Sequence, residues 1–81
     1  MSETGHDLHS LFPDDAATLH LLKIGNAHFR ALAEQHHALE KDIHQIEAGL
    51  EPASDDRLEA LKKERLSVLD AIATLVEATR A

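Results

Sequence analysis

The residues in this sequence that are best suited to hold a ligand are its seven histidines, a high number for a chain of 81 residues. Imidazole nitrogens and carboxylate oxygens are common ligands of Zn²⁺, and imidazole also suits Ni²⁺. His37, Glu40 and His44 are spaced three and four residues apart, which places them on adjacent turns of one helix face. His6 and His9 add nitrogen donors near the start of the chain. A histidine-based metal-binding protein is therefore one interpretation of the sequence.

Glu34 and His37 match the Glu-x-x-His element of di-iron helical bundles. Such a site needs the element twice, together with two more inward carboxylates, so only a symmetric oligomer could complete it here. The polar side chains at positions 37, 40, 41, 44 and 47 are more typical of a solvated helix face. We therefore predict no cofactor and no metal, and we keep a metal site at His37, Glu40 and His44 as the alternative.

Nothing in the sequence places a nucleophile beside a general base. Cysteine is absent, which excludes disulfides, thiolate metal sites and thiol catalysis. Ser10, Ser54 and Ser67 fall at helix caps or at exposed helical positions, and no glycine-rich phosphate loop is present. Two packed helices also offer no cleft. The sequence therefore predicts a protein that is not an enzyme.

The charge balance argues against nucleic acid and anionic membranes as partners. The formal net charge is −7, so phosphate groups are repelled. The basic cluster Lys62, Lys63 and Arg65 is short, and Glu64 interrupts it. No apolar run is long enough to span a membrane, and the N-terminus lacks the basic start and apolar middle of a signal peptide. We expect a cytoplasmic protein.

The element that would position these side chains is a long helix whose apolar residues recur at alternating intervals of three and four. This spacing is typical of a coiled-coil seam. The seam positions, called seats below, form two sets. One set of seats is Leu22, Phe29, His36, Ile43 and Leu50, and the other is Gly25, Leu32, Leu39 and Ile46. The pattern predicts a first helix over residues 14–48, with a weak point at Gly25-Asn26 because glycine lowers helix stability.

Residues that end or begin helices define the remaining elements. Residues 1–9 are polar and without period, which predicts a disordered tail. Gly49 and Pro52 predict a turn over residues 49–54, since glycine favours the left-handed helix cap and proline cannot continue the helix. Ser54 is a suitable N-cap for a second helix over residues 55–79. The seats of that helix are Leu58, Leu61, Arg65, Val68, Ile72, Leu75 and Thr79.

A short connection between two helices favours an antiparallel hairpin, so residues 10–81 are predicted to form an all-α, coiled-coil-like helical hairpin. In the register that pairs the two seams, Arg65 lies beside the first helix. Its methylene groups can follow the seam while its guanidinium reaches Glu40 or Asp42.

Both helices carry more apolar side chains than a hairpin needs. The first helix overhangs the second, and the second has another apolar stripe beside its seam. The surplus residues are Leu11, Phe12, Leu19, Leu22, Leu66, Leu69, Ala73 and Val76. We therefore predict a homo-oligomeric helical bundle and a small non-enzymatic interaction or adaptor protein, with any further protein partner unknown.

Several short motifs occur in order along the chain. They are Leu11-Phe12-Pro13, Asn26-x-x-Phe29-x-x-Leu32, Pro52-Ala53-Ser54-Asp55 and Leu61-Lys62-Lys63-x-Arg65-Leu66. In these motifs the chain resembles, over roughly residues 8 to 76, the YdcH family of small bacterial proteins built around a domain of unknown function. The resemblance implies a cytoplasmic helical hairpin of bacterial origin. The family has no established activity and no catalytic residues to carry over.

Overall fold

The computed structural model describes residues 8–80, apart from the side chain of His9. All regular secondary structure in this part of the chain is helical, which confirms the all-α prediction. The helices are α1 (Leu8–Leu11), α2 (Ala16–Gly25), α3 (Ala27–Glu47) and α4 (Asp55–Arg80). Seven residues of the predicted tail lie outside the described residues, and Leu8 already belongs to α1.

The prediction of one continuous helix over 14–48 is wrong, because the helix is interrupted at Asn26. The backbone of Asn26 is extended, with φ −135° and ψ 106°. Its N–H donates to the Leu22 carbonyl at 2.9 Å, and its Oδ1 accepts from the Phe29 N–H at 2.9 Å. Asn26 therefore ends α2 and caps α3 at once, a role for which the short amide side chain of asparagine is well suited.

The α3–α4 pair forms an antiparallel hairpin. Twenty-six helical residues make α4 about 39 Å long, and the longest dimension of the molecule is 42 Å. The two helices must therefore lie side by side, and the short segment 48–54 reverses the chain between them. The structure buries five predicted seats on α3 and three on α4: Phe29, Leu32, His36, Leu39, Ile43, Leu61, Val68 and Ile72. Leu50 is an exception, because α3 ends before it and leaves it exposed.

The turn after α3 is held by its backbone. Gly49 has φ +79°, the left-handed conformation that side chains disfavour. The N–H of Gly49 donates to the Ile46 carbonyl, and the N–H of Leu50 donates to the Gln45 carbonyl at 2.9 Å. These two bonds form a Schellman cap. Ser54 then starts α4, since its Oγ accepts from the Arg57 N–H at 3.1 Å.

The structure is more than a two-helix hairpin, because α2 folds back and packs on both α3 and α4. Leu19 and Leu22 of α2 are buried in the same apolar core as Ile72 and Val76 of α4. An ion pair fastens the start of α2, with Arg80 Nε and Nη2 each donating to one Asp15 carboxylate oxygen at 3.0 Å. A third helix therefore covers one side of the hairpin, which the sequence analysis did not predict.

Candidate functional site

A groove of about 420 Å³ runs along the side of the α3–α4 hairpin, where α1 approaches it. We call it the Leu66 groove. Its lining residues are Leu11, His36, Glu40, Lys62, Arg65, Leu66 and Leu69. The groove thus combines three leucines from α1 and α4 with a mixed set of polar groups from α3 and α4.

The leucines are presented by the apolar stripe that runs beside the α4 seam. Leu66 and Leu69 are one helical turn apart, so they lie on the same side of α4. The Leu66 side chain is 62% exposed and Leu11 is 42% exposed, whereas Leu69 is partly buried. A single exposed leucine is ordinary, but two exposed leucines that line the same groove mark a surface suited to a partner.

The polar rim of the groove holds charges of both signs. Arg65 Nη1 donates to Glu40 Oε1, so the structure selects Glu40 from the two predicted partners, Glu40 and Asp42. Lys62 Nζ lies 2.9 Å from Glu47 Oε2 in a more exposed pair. His36 lines the groove from the α3 seam, and its side chain is buried. The rim can therefore present positive and negative groups to the same partner.

The Lys62 ammonium lowers the pKa of the Glu47 carboxyl from its ordinary value of 4.5, first through the hydrogen bond and second through its charge. A lowered pKa means that folding favours the carboxylate form. The pair therefore contributes stability above the ordinary pKa, and this contribution is lost as the pH falls through the lower folded value. Because both side chains are substantially exposed, salt also weakens the pair.

Replacing Lys62 with glutamine is expected to raise the pKa of Glu47 back toward 4.5, because the positive charge and the charge-assisted hydrogen bond are both lost and a neutral amide favours the carboxylate less. An NMR titration of the Glu47 side-chain carboxyl carbon measures this directly. Lys63→Gln serves as the matched control, since Lys63 is the next residue on α4 and is exposed. An unchanged Glu47 pKa in the Lys62 variant would contradict the assignment of the pair.

The eight residues predicted to form an interface divide into three groups. Leu19, Leu22 and Val76 are buried within the chain, with 3%, 4% and 1% of their surface exposed. The premise that they have no partner in their own chain is wrong, because α2 covers that part of α4. Phe12 and Ala73 are partly buried. Leu11, Leu66 and Leu69 remain, and the structure brings these three together at the Leu66 groove.

Two exposed apolar residues on α2 were missed by the sequence analysis. Leu21 and Ile24 lie three residues apart on the outer side of α2, and each exposes more than half of its surface. The signal was present in the sequence, because the run Leu19 to Ile24 has apolar residues on more than one side of a helix. Only the packing of α2 decides which of these residues face the core.

The residues of the metal alternative are not assembled into a site in the described part of the chain. His37 and His44 are exposed, and Glu40 is bonded to Arg65. Among residues 8–80, His, Asp and Glu side chains nowhere come together in threes with metal-binding geometry. His6 and the side chain of His9 lie outside the described residues. No helix within residues 8–80 is long and apolar enough to cross a bilayer.

Comparison with known protein families gives a match over the hairpin. Residues 29–76, more than half of the chain, match the model of a family described as "Protein of unknown function (DUF465)". The matched region begins two residues after the start of α3 and ends within α4, so it corresponds to the hairpin without α1 and α2. No curated protein and no solved structure matches the chain.

Proposed function

The chain belongs to the DUF465 family, as its resemblance to YdcH proteins predicted. For this member of the family we propose a function from the residues exposed on its surface. We propose that it is a small non-enzymatic interaction protein that self-associates through the Leu66 groove. The observation that carries this proposal is the exposure of Leu66 and Leu11, which both line that groove. Burying apolar surface contributes about 25 cal/mol per Å², so covering these leucines favours association.

The rim of the groove supports a second copy of the same chain as the partner. In a two-fold symmetric pair the same patch lies on both sides of the interface, so it must complement itself. Lys62 and Arg65 on α4 lie close to Glu40 and Glu47 on α3, and the patch therefore offers both signs of charge. A symmetric pair can set the basic groups of one copy against the acidic groups of the other, which favours this orientation over others.

Two copies joined in this way would form a helical bundle. Each copy contributes the α3–α4 hairpin, and the α4 stripes that hold Leu66 and Leu69 lie between them. Small domains commonly gain stability in this manner, because a core built from about 80 residues buries a limited share of its surface. The groove residues support binding rather than catalysis, since most of the described lining is aliphatic or basic.

Light scattering at tens of micromolar protein tests the proposal. The unmodified chain is expected to give more than the 8.9 kDa of one copy. Leu66→Glu is expected to lower this mass, because it places a charge in the apolar contact. Leu50→Glu is the matched control, since Leu50 is also an exposed leucine but lies in the turn, away from the groove.

A monomeric mass for the unmodified chain would overturn the proposal. An equal loss of association in the Leu66 and Leu50 variants would overturn the choice of the groove, because general acidity would then explain the effect. No observation within residues 8–80 favours the metal-binding alternative over self-association.

A further inference from the structure

The helix break at Asn26 lies within an apolar pattern that does not change phase. Leu22 and Phe29 are seven residues apart across the break, and Gly25 and Leu32 are also seven apart. Such a pattern is the seam of one continuous helix. The same sequence is therefore compatible with a bent form, which the structure shows, and with a straight helix that joins α2 to α3.

The hydrogen bonds at the break can be exchanged for helical ones. In the bent form the Phe29 N–H donates to Asn26 Oδ1, and Arg30 Nη1 donates to the carbonyls of Lys23 at 2.9 Å and Ile24 at 3.2 Å. In a straight helix each N–H bonds to the carbonyl four residues earlier. The carbonyls of Lys23 and Ile24 would then accept from the backbone, and Arg30 would be released to solvent.

A straightened chain leaves apolar surface uncovered. Leu19 and Leu22 would leave their own α4, and Ile72 and Val76, which are now almost completely buried, would be exposed to water. A second straightened copy supplies the one surface that already fits this site, namely its own α2. Exchange of an identical element is a low-cost route to a dimer, because the contacts are those already made within one chain.

We propose that the chain forms an exchanged dimer by straightening at Asn26, so that α1 and α2 of each copy pack on the hairpin of the other. Leu19 and Leu22 then pack against the partner's α4, and Asp15 pairs with the partner's Arg80. This interaction goes beyond the proposed function because it uses α2 rather than the outer side of α4. Either form of association can therefore exist without the other.

Asn26→Ala is the variant that tests the exchange. Alanine removes the cap of α3, which is worth about 1 kcal/mol, and it favours a continuous helix. An exchanged dimer contains two such junctions, so its dissociation constant is expected to fall roughly 30-fold. Asn26→Asp keeps an oxygen that can accept from Phe29 and is expected to behave like the unmodified chain.

Gly25→Ala is a second control at the neighbouring position. Gly25 is the last residue of α2 and would also be helical in a straight chain, and a Cβ there would meet nothing within 4 Å. Alanine at this position therefore favours the bent and straight forms equally, and the dissociation constant is expected to stay unchanged. A fall in the dissociation constant as large as that of Asn26→Ala would show that general helix propensity drives the dimer. The specific role of Asn26 would then be overturned.

The deciding measurement is an isotope-filtered NOE experiment on an equal mixture of labelled and unlabelled Asn26→Ala chains, unfolded and refolded together. We expect NOEs between chains that join the methyl groups of Leu19 and Leu22 to those of Ile72 and Val76. A folded monomer, or a dimer in which these NOEs occur only within one chain, would overturn the exchange. Asn26→Glu, another helix-favouring change, gives the same test if the alanine variant does not fold.

Adding Leu66→Glu to the Asn26→Ala variant separates the two forms of association. The exchanged dimer is expected to survive this substitution, whereas a dimer held by the Leu66 groove is not. If the doubly substituted chain becomes monomeric, the exchange is overturned while the proposed function stands. If it remains dimeric and unmodified chains are monomers, the exchange stands and the proposed function is overturned.

Discussion

Replacing Leu19 with alanine is expected to lower the free energy of unfolding by about 2–5 kcal/mol. Leu19 is 3% exposed and belongs to the core that α2 forms with α3 and α4, so the change removes buried methyl groups and leaves a cavity. Because native domains of this size are only marginally stable, such a loss is a large share of the total. Urea denaturation followed by circular dichroism measures it.

Leu21→Ala is the matched control for this prediction. Leu21 is the same residue type on the same helix, but it is 61% exposed, so the change is expected to stay within about 0.5 kcal/mol. The contrast between the two variants reports whether α2 packs on its own chain. Equal, small effects would mean that α2 does not cover the hairpin, and the account of the fold would then be wrong.

Replacing Ile72 with alanine is expected to have a comparable effect, about 2–5 kcal/mol. The Ile72 side chain has no exposed surface. It belongs to the α4 seam and lies in the core shared with α2 and α3. The loss should appear in the denaturation midpoint at dilutions where the chain is monomeric, because every contact removed lies within one copy.

Leu66→Ala is the counterpart on the same helix. Leu66 is largely exposed in a single chain, so at high dilution its replacement is expected to change the stability by no more than about 0.5 kcal/mol. At tens of micromolar the same substitution should lower the melting temperature further, since it weakens an association that stabilises the folded state. A large loss at every dilution would place Leu66 in the core of the monomer instead.

The parts of the fold that the sequence predicted are those set by local signals. The seats from Phe29 to Ile43 are buried as their spacing indicated, and the turn is held by Gly49 and Ser54, whose roles depend on backbone conformation and capping alone. Arg65 could be placed beside Glu40 because the register of a hairpin follows from a short connection. Each of these features depends only on a few neighbouring residues or on the spacing of apolar residues along one helix seam.

The position of α2 could not be predicted in this way. The seven-residue spacing from Leu22 to Phe29 favours a straight helix, and the bend at Asn26 prevails because Leu19 and Leu22 gain burial against α4. That gain depends on packing between residues fifty or more positions apart. Sequence spacing contains no information on it, which is why Val76 was assigned to a partner and is buried instead.

The candidate site was predicted in part for the same reason. The stripe that holds Leu66 and Leu69 is visible as an apolar row beside the α4 seam, and Leu11 was included because the first helix overhangs the second. Which members of the surplus set stay exposed depends on how much of the hairpin α2 covers. The structure reduces eight candidate residues to a groove with three leucines, and that smaller surface carries the proposed function.

Sedimentation equilibrium of the unmodified chain, over a dilution series from tens of micromolar downward, tests self-association most directly. We expect an average mass that rises with concentration from the 8.9 kDa of a single copy toward twice that value or more. An average mass that stays at one copy throughout the series would contradict it, because the exposed leucines would then have no second copy to cover them.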